Sequence, residues 1–147
     1  MASNESLEWF WNKLNDHLES KGLKQTKQRK AIVEYFLEME NHLSAEELYD
    51  HIRKSGDHIG LATIYRTLTL LKEAGLVEQN QFIENKTVYE TRYPDSHHDH
   101  LICMKCGKII EFEDNEIEDL QKKVATNHNF KLVSHSLDLF GFCEACS

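Results

Sequence analysis

Four cysteines in two pairs, Cys103-x-x-Cys106 and Cys143-x-x-Cys146, and the run His97-His98-Asp99-His100 are the residues of this chain best equipped for chemistry. The two-residue spacing lets both thiolates of a pair reach one ion at about 2.3 Å, and two such pairs complete a tetrahedral zinc site with no open position. A closed site of this kind holds a fold together and performs no chemistry. Disulfides would be the other use of four cysteines, but two C-x-x-C pairs in a reducing compartment point to metal. Zinc deaminases also use C-x-x-C, with a third ligand in an H-x-E context and a vacant position. The one H-x-E of this chain, His17-Leu18-Glu19, lies far ahead of the cysteines in a helical stretch, and none stands near them.

The histidines and carboxylates suit a different class of ion. If His97 to Cys103 enters a strand, alternation places His98 and His100 on one face and His97 and Asp99 on the other. Two half-sites result, each needing donors from elsewhere. Candidates are His42, Glu90 and Glu111 for one and Glu118 and His135 for the other, an allocation that spacing leaves open. His17, His51, His58 and His128 have no comparable surroundings and read as surface or packing residues.

The totals limit what such sites can serve. A chain of 147 residues makes one medium domain or two small ones, and a 40% hydrophobic fraction with a single proline favours folded structure. No apolar run approaches the roughly 20 residues that span a bilayer, and no charged start leads into an apolar core, so a soluble, cytoplasmic protein without a membrane partner is expected. The net charge of -8 looks wrong for a nucleic-acid binder, yet KGLKQTKQRK, residues 21 to 30, holds five basic residues and no acidic one. A local basic patch on an acidic body can still bind DNA, with affinity that falls as salt rises.

The elements that must position these residues fall into two textures. Leu7, Phe10, Trp11, Leu14 and Leu18 recur at helical spacing up to Gly22; Thr26 caps a second helix carrying Ile32, Val33, Phe36 and Leu37; Ser44 and Glu47 form a capping box for a third, which Gly56 ends. A fourth helix, roughly Ala62 to Glu73, gathers Leu61, Ile64, Leu68 and Leu71 on one stripe and turns Arg66 to the opposite face, near Ala62, Thr63 and Thr69. LVEQNQF and KTVYE follow as a hairpin. This is the outline of a winged helix-turn-helix over residues 1–91. RYPDS, residues 92–96, holds the only proline and reads as a hinge. Beyond it, 97–147 reads as strand, knuckle, strand, helix and strand. Its helix starts at Asn115 with Glu118 and buries Ile117, Leu120 and Val124, and FKLVSHSLDLF forms one long strand. The expected class is α+β, with an N-terminal winged helix and a small C-terminal α/β domain.

The combination GLATIYRTLTLL, HHDHLICMKCGK, NEIEDL and SHSLDLFGFCEAC resembles the ferric uptake regulator family of metal-dependent transcription factors, from about Gly22 to Cys146. The resemblance implies a homodimer joined through the C-terminal domain. It assigns His42, Glu90, His98 and His100, with Glu111 in some members, to a sensory site; His97, Asp99, Glu118 and His135 to an additional site; and the four cysteines to structural zinc. It further implies that Tyr65 and Arg66, with Thr63 beside them, meet DNA bases and that Lys24 lies near the minor groove. For Tyr65, a packing role at the edge of the helix stripe stands beside base readout. The stretch from Glu90 to His98 is one residue longer than the family pattern, so spacing does not fix the place of Glu90.

The resulting expectation is a repressor that responds to ferrous iron and binds a double-stranded operator. Nitrogen and oxygen donors accept Fe(II) but bind zinc more tightly, so peroxide-sensing or zinc-sensing members are the alternatives within the family. The glutamates at 90 and 111 favour iron, because peroxide-sensing relatives tend to carry aspartate there. A zinc metalloenzyme or a metal-storage protein is the alternative of a different class. No nucleophile or general base beyond the ligands supports an enzyme.

Overall fold

The computed structural model describes residues 3–39, 42–94 and 97–147. The chain divides into two compact units, Met1–Ser96 and His97–Ser147. Asp95 and Ser96, the last two residues of the expected hinge, lie outside the described residues. No helix among the described residues is long and apolar enough to cross a membrane.

The first unit contains helices α1 (Asn4–Ser20), α2 (Lys27–Glu38), α3 (Ala45–Lys54) and α4 (Leu61–Glu73), then strands β1 (Val77–Ile83) and β2 (Lys86–Thr91). The starts of α1, α2 and α3 each follow from a side-chain oxygen that accepts from an otherwise unpartnered N–H of the first turn, whereas α4 starts after Gly60 without one. Ser3 accepts from Ser6, Thr26 from Arg29 and Ser44 from Glu47, each at 3.1 Å. At Ser44 the Glu47 carboxylate returns to the hydroxyl, which donates at 3.1 Å. α1 ends where Gly22 adopts φ 67° and the Leu23 N–H reaches back to the Leu18 carbonyl at 2.8 Å. A Cβ would strain that left-handed turn.

Helical periodicity places Phe10, Leu14 and Leu18 of α1, Ile32 and Val33 of α2, Leu48 and Ile52 of α3, and Ile64, Leu68 and Leu71 of α4 in one buried cluster. Each large apolar side chain so buried contributes about 1.5–3 kcal/mol. β1 and β2 pair antiparallel from Val77↔Thr91, with an irregularity between Asn80 and Ile83. An isolated antiparallel bridge joins Leu43 to Tyr89, with N–H···O distances of 3.0 and 2.7 Å. It ties the segment before α3 to the hairpin.

The second unit holds β3 (Asp99–Cys103), β4 (Ile109–Phe112), α5 (Asn115–Asn127), β5 (Asp138–Gly141) and a 3-10 turn at Glu144–Cys146. The strand order is β4-β3-β5; β3 runs antiparallel to β4 and parallel to β5. α5 starts at Asn115 as expected, and Asp114 caps it, its Oδ1 accepting from Glu116 and Ile117 at 2.9 and 3.2 Å. Two expectations need correction. The apolar face of α5 is uncovered, with Leu120 and Val124 each 59% exposed. FKLVSHSLDLF is not one strand, since only Asp138–Gly141 pairs and residues 130–137 carry no strand assignment. These departures share a cause: the apolar pattern of this unit is larger than one copy of it can bury.

Candidate metal centres and nucleic-acid face

Cys103 ends β3, Cys106 sits in the turn toward β4, Cys143 follows β5 and Cys146 closes the 3-10 turn. Two strand-end contacts gather them. Cys103 lies opposite Gly141 in the parallel pair, and the Met104 N–H donates to the Gly141 carbonyl at 2.8 Å. The four sulfurs lie within 4.8 Å of one another, Cys106 and Cys143 being 3.7 Å apart. That is far beyond a disulfide and close to the roughly 3.8 Å edge of a tetrahedron with 2.3 Å metal–sulfur arms. Backbone N–H groups of Cys106 and Cys143 donate to Cys103 Sγ at 3.5 and 3.4 Å and pull that thiol down to about 5, while hydrogen bonds from Cys143 and its neighbours hold Cys146 up at about 12. Crowded thiols split in this way because they cannot all ionise side by side without a cation. The donor set fits one zinc ion, which would fasten the ends of β3 and β5 and leave no position for a substrate.

A second cluster lies in the same unit. Glu118 on the first turn of α5 has Oε1 3.2 Å from both His97 Nε2 and His135 Nε2. Asp99 Oδ1 lies 3.4 Å from His135 Nε2 and 3.7 Å from His97 Nε2, and the two imidazole rings are 4.3 Å apart. Asp99 is only 1% exposed, and neither of its carboxylate oxygens accepts a hydrogen bond. A buried carboxylate without a donor costs free energy unless something positive meets it. The four donors, converging on one point, suit a divalent ion.

The remaining nitrogen and oxygen donors form one pair in each unit. In the first, the Leu43–Tyr89 bridge sets His42 beside Glu90, with Nε2 2.6 Å from Oε2 and both side chains almost fully buried. Asn80 Nδ2 donates to the other Glu90 oxygen at 3.5 Å. In the second, the His98 and His100 rings are 5.1 Å apart, and His98 Nε2 lies 3.4 Å from Glu111 Oε1, with Glu111 paired to His100 across β3 and β4. His100 Nδ1 also lies 3.0 Å from Asp138 Oδ1. The sequence reading missed Asp138. Its only signal was a carboxylate inside an apolar stretch, and nothing local shows that β5 runs parallel beside β3.

The outer face of α4 is polar and open. Tyr65 is 39% exposed and its hydroxyl donates to Glu46, which raises the phenol to about 12. It does not pack in the core. Arg66 Nη2 donates to Thr63 Oγ1 at 3.1 Å, and both line, with Tyr65, Thr26 and Arg29, a shallow depression of about 430 Å³. Lys24 stands in the loop ahead of α2, its carbonyl accepting from Arg29 Nη1 at 2.5 Å. Glu46 and Arg29 were not singled out from the sequence, where Glu46 is hidden beside the capping residue Glu47.

Comparison with known proteins agrees with this geometry. The sequence pattern of the ferric uptake regulator family matches residues 20–140. The ferric uptake regulation protein of Escherichia coli strain K12 is 45% identical over 130 residues, 88% of this chain and 87% of that one. Among solved structures, the Helicobacter pylori ferric uptake regulator, described as having three functional metal-binding sites, superposes with a TM-score of 0.87 at 35% identity, covering 99% of this chain and 97% of its own. The Vibrio cholerae regulator superposes with a TM-score of 0.75 at 44% identity, over 88% of this chain and 98% of its own. With that match spanning both units, the chain belongs to the ferric uptake regulator family.

Proposed function

We propose that this protein is a transcriptional repressor that senses ferrous iron and binds a double-stranded DNA operator as a homodimer. One observation carries the reading: a closed thiolate cage and convergent nitrogen and oxygen donors coexist in one small unit without sharing a residue. Sulfur ligation suits a permanent zinc ion, whereas imidazole and carboxylate donors suit an exchangeable divalent ion. In this reading His42, Glu90, His98, His100 and Glu111 are the regulatory ligand set, and His97, Asp99, Glu118 and His135 a further set.

When bound, a divalent ion supplies the positive charge that lets imidazoles and carboxylates share one point. His42, Glu90, His98 and His100 would hold it, with Glu111 as a further donor. Arg66 and Tyr65 would reach base edges, Thr63 would support Arg66, and Lys24 would neutralise phosphate near the minor groove. Two such units bind paired half-sites when their recognition helices stand about 34–36 Å apart.

The homodimer is supported by the uncovered face of the second unit. Val133 and Phe130 are 88% and 74% exposed, and with Ile117, Leu120, Val124 and Leu132 they line an apolar groove of about 780 Å³. A second copy meeting this face about a twofold axis would cover the groove and give residues 130–137 a partner.

The test is linkage. An ion that tightens operator binding must itself bind more tightly to the operator complex, typically by about 1–3 kcal/mol. Mn(II), an air-stable stand-in for Fe(II), is titrated with and without operator DNA; equal affinities reject the proposal. Iron with peroxide that adds oxygen to His42 or to a histidine of His98 to His100 would instead mark a peroxide sensor.

A further inference from the structure

Asp138 is the first residue of β5, and its register partner on β3 is His100. The His100 N–H donates to the Leu137 carbonyl at 3.1 Å, so the backbones are locked where the side chains meet, with Nδ1 and Oδ1 3.0 Å apart and largely buried. A carboxylate can only accept. For a neutral imidazole this places the proton on Nδ1 and the lone pair on Nε2, at the far side of the ring. Metal-binding histidines are commonly oriented in this way, through the nitrogen that does not ligate.

The other end of the same strand pair shows what keeps Asp138 in place. Three residues along, Cys103 lies opposite Gly141, and Cys143 follows two residues after it. The thiolate cluster therefore sets the sliding register of β5 along β3 from about 10 Å away. A slip of one residue would turn Asp138 to the opposite face of the sheet.

We propose that Asp138 is a positioning residue: it holds His100 as the Nδ1–H tautomer with Nε2 presented to a divalent ion and so sets the affinity of the regulatory set. The inference rests on the reading of His100 as a ligand. It is tested by comparing the wild type with Asp138→Ala and Asp138→Asn, all loaded with one zinc per chain. Nitrogen-15 spectra of His100, taken without further metal, report the tautomer. Calorimetric titration with Mn(II) in a His135→Ala background, which disables the other nitrogen and oxygen cluster, reports affinity.

Asp138→Ala should move His100 toward the Nε2–H form and weaken Mn(II) binding about 10- to 100-fold. Asp138→Asn, whose amide carbonyl accepts the same proton, should keep the tautomer and most of the affinity. An unchanged tautomer with Mn(II) affinity within twofold in the alanine variant overturns the proposal. Equal losses from both variants with the tautomer preserved would make Asp138 a direct ligand and also overturn it. Should His98→Ala and His42→Ala leave Mn(II) binding intact while Asp138→Ala still shifts the tautomer, it is the ligand reading of His100 that fails, with the hydrogen bond left standing.

Discussion

Replacing Asp99 by leucine should stabilise the metal-free second unit and abolish its stabilisation by metal. Asp99 is 1% exposed and its oxygens accept no hydrogen bond, so in the absence of an ion its carboxylate is buried without a donor. Such a group costs about 1–3 kcal/mol, and leucine has the same branching without the polar atoms. The neighbouring imidazoles of His97 and His135, 3.7 and 3.4 Å away, offset part of this and place the expected gain at the lower end. In the wild type, Mn(II) at one hundred times its dissociation constant should return about 2.7 kcal/mol. The two proteins should therefore exchange rank as metal is added. The second unit has no tryptophan or tyrosine, so fluorescence would miss the effect, and amide hydrogen exchange at β3 is the appropriate assay. Each tenfold slowing of exchange corresponds to about 1.4 kcal/mol. The comparison is made in a His98→Ala background, so that Mn(II) at the other set does not contribute. Metal-free Asp99→Leu protein whose β3 exchanges tenfold faster than wild type, or one that Mn(II) still protects as fully, would refute the assignment of this cluster.

Cys143→Ser should release zinc, speed amide exchange in β5, and broaden the His100 imidazole signals by freeing Asp138; metal analysis with exchange measurement checks it, and retention of one zinc with unchanged exchange would count against the cage. Arg66→Ala should cost about 1–3 kcal/mol on the operator and relax base preference, whereas Lys24→Ala should weaken all DNA about equally and lower the salt slope by about 1. Gel-shift titrations on specific and random duplexes separate the two. Tyr65 should ionise near pH 12 in an ultraviolet titration, and Glu46→Gln should bring it back toward 10. Because the folded value lies above the unfolded one, this hydrogen bond stabilises fully below pH 10 and is lost between about pH 10 and 12.

Local chemistry was legible in the sequence wherever a rule acts within a few residues. Thr26, Ser44 and Gly22 marked helix ends because capping depends on the nearest backbone groups, and the C-x-x-C pairs marked their sulfurs because metal arms have one length. At longer range spacing alone was silent. The nearness of His42 and Glu90, named together from the sequence without a geometric reason, is a product of the Leu43–Tyr89 bridge, which joins residues far apart in the chain. Asp138 depends on a parallel pairing whose register no short pattern encodes. Val124 and Leu120 show a correct period and an incorrect conclusion: periodicity says that a face will be covered, without saying by which molecule.

The alternation His97, His98, Asp99, His100 ahead of Cys103 works as a reading frame of two. Odd positions address one nitrogen and oxygen cluster, even positions the other, and the frame closes on a sulfur. One residue inserted between His100 and Cys103 would turn each pair of donors to the other pair's face, even though the composition of the segment would hardly change. The same residue added upstream, in the stretch after Glu90, leaves every address intact, so length can drift there while it is held fixed a few positions later.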